Sequence, residues 1–259
     1  MAMEYTGFDE SFSLAGKVAL VTGAGSGLGR ATSMMFGRKG ADLALVDLNL
    51  DSAKETAGKM ADYGRKLKCI QCDVSVEDSV QKMVDETVAE FGRIDILINC
   101  AGIGLLDDAE NVAMAEFEKV IAVNLTGAFM VAQKVGRQMI KQKRGKIVNF
   151  ASQGALVALD NHAAYNASKA GVLGFTRVLA YEWAQFNIQV NAVSPTVIVT
   201  DLTDKTWVGE TRQRFLDSLP AGRFGQPDEV AAACLYLAHD ASNLVTGTNL
   251  VIDGGYTIQ

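Results

Sequence analysis

Seven short runs of β-branched and aliphatic residues recur through this chain, most of them followed by a longer amphipathic stretch. That alternation restricts the fold more than any other feature. The strand-like runs fall at 17–22, 43–47, 68–72, 94–99, 146–151, 188–192 and 249–252, and the helix-like stretches at 27–39, 52–63, 77–91, 117–141, 163–186 and 228–239. Several of the strand candidates are apolar throughout instead of alternating, the pattern of strands covered on both faces. Strand–helix alternation then predicts an α/β fold: a doubly wound, mostly parallel seven-stranded sheet with right-handed crossovers and helices on both faces. A length of 259 residues suits one such domain, expected over 16–259, and no composition shift marks a second boundary. Residues 1–15 lack periodicity and read as an N-terminal tail.

The balance of 49% apolar and 21% charged residues is ordinary for a globular chain, and the net charge of −6 disfavours nucleic acid or an anionic membrane as partner. Four cations within 141–146 read as a solvated helix end. The N-terminus carries Glu4, Asp9 and Glu10 without an apolar core, unlike a signal peptide, and no apolar run approaches the length of a membrane span. Cysteines at 69, 72, 100 and 234 are too few and too scattered for a disulfide scaffold, so the cytoplasm is the expected compartment.

The first strand runs straight into Thr22-Gly23-Ala24-Gly25-Ser26-Gly27-Leu28-Gly29, which opens a helix. Glycines permit a tight turn and close approach of the backbone to a pyrophosphate, and the helix start offers N–H donors and a positive dipole end. This strand–loop–helix context makes Gly23, Ser26, Gly27, Leu28 and Gly29 a dinucleotide cradle on a Rossmann-type sheet. Asp47 ends the second strand 20 positions after Gly27. A carboxylate there accepts from the adenosine ribose hydroxyls and repels a 2′-phosphate, and neither Ser26 nor Leu48 supplies a cation, so NAD is expected and not NADP. Asp73, after the third strand, is a further candidate for the adenine edge.

Tyr165 and Lys169, four apart near the start of a long helix, share one helix face. A phenol titrates near pH 10 unaided, and an adjacent ammonium lowers that value. Tyr165 is thus expected to take the proton of an alcohol as its hydride leaves, or to return it in reduction. Ser152 follows the fifth strand at the edge where ligands sit, and its hydroxyl can polarise the reacting oxygen. Asn124 lies within the 117–141 helix, where Asn is a mediocre helix former. Two readings stand for it, a water-holding link from Lys169 to solvent or a polar side chain facing a neighbouring element.

Thr22–Gly29, Asn99-Cys100-Ala101-Gly102, Asn124, Ser152, Tyr165-Asn166-Ala167-Ser168-Lys169 and Ser194-Pro195 together resemble the ordered motifs of the short-chain dehydrogenase/reductase family, from about residue 15 to the end. The resemblance implies a catalytic set of Asn124, Ser152, Tyr165 and Lys169, with Tyr165 and Lys169 also at the cofactor. Asp73, Val74, Asn99, Gly102, Ile198 and Thr200 join the cofactor-binding set, and a homotetramer built on the 117–141 and 163–186 helices is implied. Two positions depart from the family pattern: Cys100 stands where the family has a second Asn, and Thr196 follows Pro195 where the family has Gly.

The segment after the sixth strand, about 196–220, is placed to be a substrate lid or else an ordinary long connection. The polar mouth around Gln153 and His162 suits a hydroxylated substrate, and the chain is similar to NAD-dependent polyol dehydrogenases of this family, so a small polyol, sugar alcohol, diol or ketose is expected. Two rivals predict other things. An NADPH-dependent 3-oxoacyl-carrier-protein reductase would want a cation near Asp47 and a basic lid, whereas a dinucleotide sensor would have no use for Ser152, Tyr165 and Lys169 together. Cys69 and Cys72 are three apart in a strand and point to opposite faces, with no histidine nearby in sequence, so no metal site is expected. Cys100 is a candidate for thiol reagents, and His239 at a helix end suits an imidazolium.

Overall fold

The computed structural model describes residues 8–200, 203 and 208–258. Positions 1–7 of the expected tail, and Asp201, Leu202 and residues 204–207 of the expected lid (Trp207 among them), lie outside the described residues. Seven parallel strands form one sheet in the order β3-β2-β1-β4-β5-β6-β7, where β1 is Val18–Thr22, β2 Asp42–Asp47, β3 Leu67–Gln71, β4 Ile96–Asn99, β5 Gly145–Phe150, β6 Ile188–Pro195 and β7 Asn249–Ile252. All six pairings are parallel, so the expected mostly parallel sheet is wholly so.

Helices fill both faces. One layer holds α1 (Gly27–Arg38) and α8 (Pro227–Ala238), and the other holds α3 (Glu77–Phe91), α5 (Ala128–Gln142) and α6 (Ala163–Trp183). Strand alternation feeds each layer in turn: Ala19 and Val21 of β1 join Phe36 and Val230 on one side, while Leu20 joins Val131 and Leu179 on the other. Cys69 and Cys72 split the same way, one packed against each layer. The order reverses between β1 and β4, so the carboxyl ends of those strands flank the crevice where open α/β sheets bind ligands.

Several segments differ from expectation. The helix expected over 117–141 is α4 (Met114–Ile121), a π-helical turn at Ala122–Gly127 and α5, with Asn124 inside the wide turn. The 52–63 helix is α2 (Leu50–Gly58) followed by a 3₁₀ turn at Ala61–Tyr63. Within the lid region the short helix-like stretch of the sequence is α7 (Gly209–Asp217), as expected. The tail reading fails from Phe12 onward: Leu14 is buried, its N–H donates to the Lys39 carbonyl at 2.7 Å, and Phe12 packs on the core. Lys146 is not part of a solvated helix end; it lies on β5, is buried, and its Nζ donates to Ser242 Oγ at 3.2 Å. His239 is no imidazolium at a dipole. It is buried beside Phe12, burial lowers its pKa, and its Nδ1 accepts from Ala241 N–H at 3.1 Å.

Candidate active site

The glycine loop turns where the sequence predicts. Gly23 has φ +68°, and a Cβ on Gly29 would stand 2.1 Å from the Gly23 carbonyl oxygen, so helix and strand meet too closely for any side chain there. No side chain caps the start of α1, where Ser26 is extended and exposed, which leaves the first N–H groups of Gly27, Leu28 and Gly29 for an anion. Asp47 holds the neighbouring turn: its carboxylate accepts from Gly25 N–H at 2.8 Å and Asn49 N–H at 2.9 Å. Beside it an open cleft of about 640 Å³ is lined by Asp47, Leu48, Asn49, Leu50, Asp51 and Gln71, with no cation among them. Arg30, in the first turn of α1, is a residue that sequence reasoning missed. It donates to the Gly25 carbonyl and Thr56 Oγ1 and pairs with Glu55 at 3.2 Å, so its charge is committed to bracing the loop.

The loop after β4 is held by Thr22, also missed. Its Oγ1 accepts from Cys100 N–H at 3.0 Å and Ala101 N–H at 3.1 Å. The signal for it is a hydroxyl at the end of β1 in register with Asn99. Asn99 itself turns inward, donating to the Ala128 carbonyl at 2.7 Å and Asn149 Oδ1 at 3.1 Å, so its side chain ties strands and helix together and does not line the crevice. Val74 packs in the core, with its carbonyl against Gly127. Asp73 uses Oδ1 on the Ser75 N–H and hydroxyl, at 2.9 and 2.6 Å. Ile198 is buried and bridged to Gly225, and Thr200 is hydrogen-bonded to Thr203, the one described residue inside the gap. Thr196 takes up no left-handed backbone, so glycine's freedom is not required at that position.

Behind that loop the residues expected to handle the proton converge. Asn124 accepts from Ile103 N–H and donates to the Ile103 carbonyl, both at 2.8 Å, and donates to Ser168 Oγ at 3.3 Å. It therefore faces a neighbouring element, as one of its two readings has it. A Cβ on Gly102 would lie 3.2 Å from Asn124 Oδ1 and 3.6 Å from Lys169 Nζ, so loop, π turn and α6 meet at one point. Lys169 is buried, its Nζ donating to the Phe150 carbonyl at 2.7 Å and standing 5.6 Å from the Tyr165 ring centroid. Ser152 is buried at the end of β5 and hydrogen-bonds Tyr165. Gln153 beside it is buried with its Oε1 unpartnered, and the His162 ring lies edge-on to Tyr165 at 5.8 Å.

The electrostatics correct one expectation. Burial raises the Tyr165 phenol above its ordinary value, against which the hydrogen bond from Ser152 pulls it down. Burial also pushes Lys169 down to about 8. Desolvation, and not attraction to the ammonium, dominates in the protein alone. Cys100 is likewise pushed up to about 12 by burial, which disfavours the thiolate that thiol reagents attack.

A family model described as enoyl-(acyl carrier protein) reductase matches residues 23–257. The chain is 47% identical over 257 residues to an NAD-dependent glycerol dehydrogenase of Listeria innocua serovar 6a, covering 99% of this chain and 100% of that protein. It is 47% identical over 251 residues to a D-threitol dehydrogenase of Mycolicibacterium smegmatis, covering 97% and 96%. Among solved structures, an NAD⁺-bound xylitol dehydrogenase superposes with a TM-score of 0.90 at 34% identity, over 93% of this chain and 99% of that one. With the crevice, the glycine loop and the Ser152–Tyr165–Lys169 group in place, these likenesses establish that the chain belongs to the short-chain dehydrogenase/reductase family.

Proposed function

We propose that the protein is an NAD-dependent oxidoreductase interconverting a secondary alcohol and a ketone on a small polyol, sugar alcohol or diol. The observation that carries this is the meeting of Ser152, Tyr165 and Lys169 beside an uncapped helix start guarded by a carboxylate. The residues fit the cofactor: the loop leaves anion-ready N–H groups, Asp47 stands by the open cleft, and no cation there would favour a 2′-phosphate. When bound, NAD supplies the hydride acceptor and, in its oxidised form, a positively charged nicotinamide ring.

The chain's own groups do the rest. Ser152 holds the reacting oxygen by its hydroxyl, and Tyr165 takes the hydroxyl proton in oxidation or returns it in reduction. Lys169 adds positive charge near the phenol whenever it is protonated, while Asn124 positions the 102–103 loop against it. Gly23, Ser26, Gly27, Leu28, Gly29, Asp47, Asp73, Val74, Asn99, Gly102, Ile198 and Thr200 make up the cofactor side, with Asn99 acting through the strands it ties. Gln153, next to Ser152, has a buried Oε1 without a protein partner, and a substrate hydroxyl reaching that depth could satisfy it. The 196–220 segment serves as the lid.

A homotetramer in the cytoplasm completes the reading. Val178 and Tyr181, 53% and 88% exposed on α6, support self-association of the long helices. Of the three cations the carrier-protein reductase alternative could use at the lid (Arg212, Arg214 and Arg223), Arg223 is paired with Glu229 through two 2.7 Å bonds and Arg212 lies 4.5 Å over Phe224, which weakens that alternative. The test is turnover: NAD and then NADP are offered with glycerol, threitol, xylitol and butane-2,3-diol. Reduced cofactor is expected with NAD and at least one polyol. Turnover with NADP alone would refute the cofactor, and silence with every polyol would refute the substrate class.

A further inference from the structure

We infer that His162 sets the preference for polyhydroxylated substrates, its Nε2 accepting a hydrogen bond from a hydroxyl on the carbon next to the one oxidised. This rests on the polyol reading and deepens it. His162 stands immediately before α6, three residues ahead of Tyr165, and packs edge-on against that ring at 77°. Its Nδ1 contacts the Asp160 carbonyl oxygen. A carbonyl oxygen only accepts, so Nδ1 carries the ring proton and the neutral imidazole is left with a bare lone pair on Nε2. Among the described residues no group donates to it.

The backbone holds that ring in place. Asn161 sits in the left-handed region at φ +64°, which Asn tolerates better than most residues, and its carbonyl accepts from Asp107 N–H at 3.2 Å. The His162 N–H donates to the Leu159 carbonyl at 3.3 Å, and its own carbonyl accepts from Asn166 N–H at 2.7 Å. The side chain is only partly buried, so a ligand can reach it. An acceptor fixed beside the proton-transfer group gains from a substrate O–H and nothing from a keto or thioester chain. That asymmetry separates polyols from simple alcohols and acyl chains by the mechanism through which an unmatched polar group costs specificity.

The experiment compares kcat/KM for butane-2,3-diol and butan-2-ol, which share the reacting carbon and differ in the neighbouring hydroxyl. Both depend equally on Tyr165, Ser152 and Lys169, so general damage cancels in the ratio. In His162→Phe, which keeps a ring against Tyr165, the diol-to-monool ratio is expected to fall about 10- to 100-fold. His162→Gln, which restores an acceptor, is expected to recover part of it. NADH binding, followed by fluorescence, reports that each variant is folded. An unchanged ratio in His162→Phe overturns the role of His162 while leaving the polyol reading intact. A wild type that oxidises neither of these alcohols nor glycerol, threitol or xylitol with NAD overturns the polyol reading itself, and this inference with it.

Discussion

Two buried lysines sit at opposite edges of the sheet, and both are pushed by burial down to about 8. Lys169 lies at the carboxyl edge, with a backbone carbonyl for its proton, a phenol ring at 5.6 Å and the glycine of the 102 loop against it. Lys146 lies at the amino edge, bonded to Ser242, in a cluster where Lys17 and Arg144 already flank Asp240. A perturbed lysine is therefore no mark of a reaction centre by itself. What differs is the company: one lysine faces the Tyr165 ring beside the crevice, the other belongs to a charge network that closes the far end of β5.

The contrast breaks or holds most visibly in catalysis. Tyr165→Phe and Lys169→Met are each expected to lower kcat for polyol oxidation by about 10²–10⁴, with NADH binding largely retained in the tyrosine variant. Lys146→Met is expected to keep kcat within about twofold. Steady-state rates on all three decide the matter, and equal losses at the two lysines would erase the distinction.

The burial of Lys146 also sets a stability test. The Lys146 value moves from an ordinary 10.5 to about 8, which at 1.36 kcal/mol per pH unit costs the fold about 3 kcal/mol wherever the lysine is charged in both states. Between those pH values the unfolded chain still holds the proton that the folded chain has released, so stability climbs as pH rises through that window and the cost is fully present below it. Lys146→Met should accordingly be more stable than wild type at pH 7, by up to that amount, with the advantage shrinking toward pH 10. Urea titrations at pH 7 and 9.5 measure it. A variant less stable at pH 7 would mean that the bond to Ser242 and the field of Asp240 outweigh desolvation.

The smallest effect concerns the cysteine beside the site. With its thiol at about 12, only about one Cys100 in 10⁵ is thiolate at pH 7. Iodoacetamide should leave native Cys100 unlabelled over hours and modify it promptly once the chain is unfolded, as mass spectrometry of digests would read. Fast labelling of the native protein would show a solvated thiol.

The sheet was legible because its strands are apolar on both faces, a pattern that survives without knowing the neighbours. The glycine loop and Asp47 were legible because a tight turn, an anion-ready helix start and a ribose acceptor are all local requirements. Local reading failed where burial came from distant chain. Lys146 looks like part of a cationic helix end until β4 and β6 close over it, and His239 looks like a dipole partner until Phe12 covers it. The break at Asn124 is invisible as a pattern, since a π turn adds one residue without changing composition.

The order of residues alone determined the α/β layering and the glycine loop, and it put forward Asp47 for the ribose and Tyr165 with Lys169 for proton transfer. Each follows from spacing within a single element or turn. Only the tertiary structure decided the electrostatics of that pair. Desolvation depends on what the whole fold packs around a group, and here it lifts Tyr165 and lowers Lys169 against the attraction their spacing suggests.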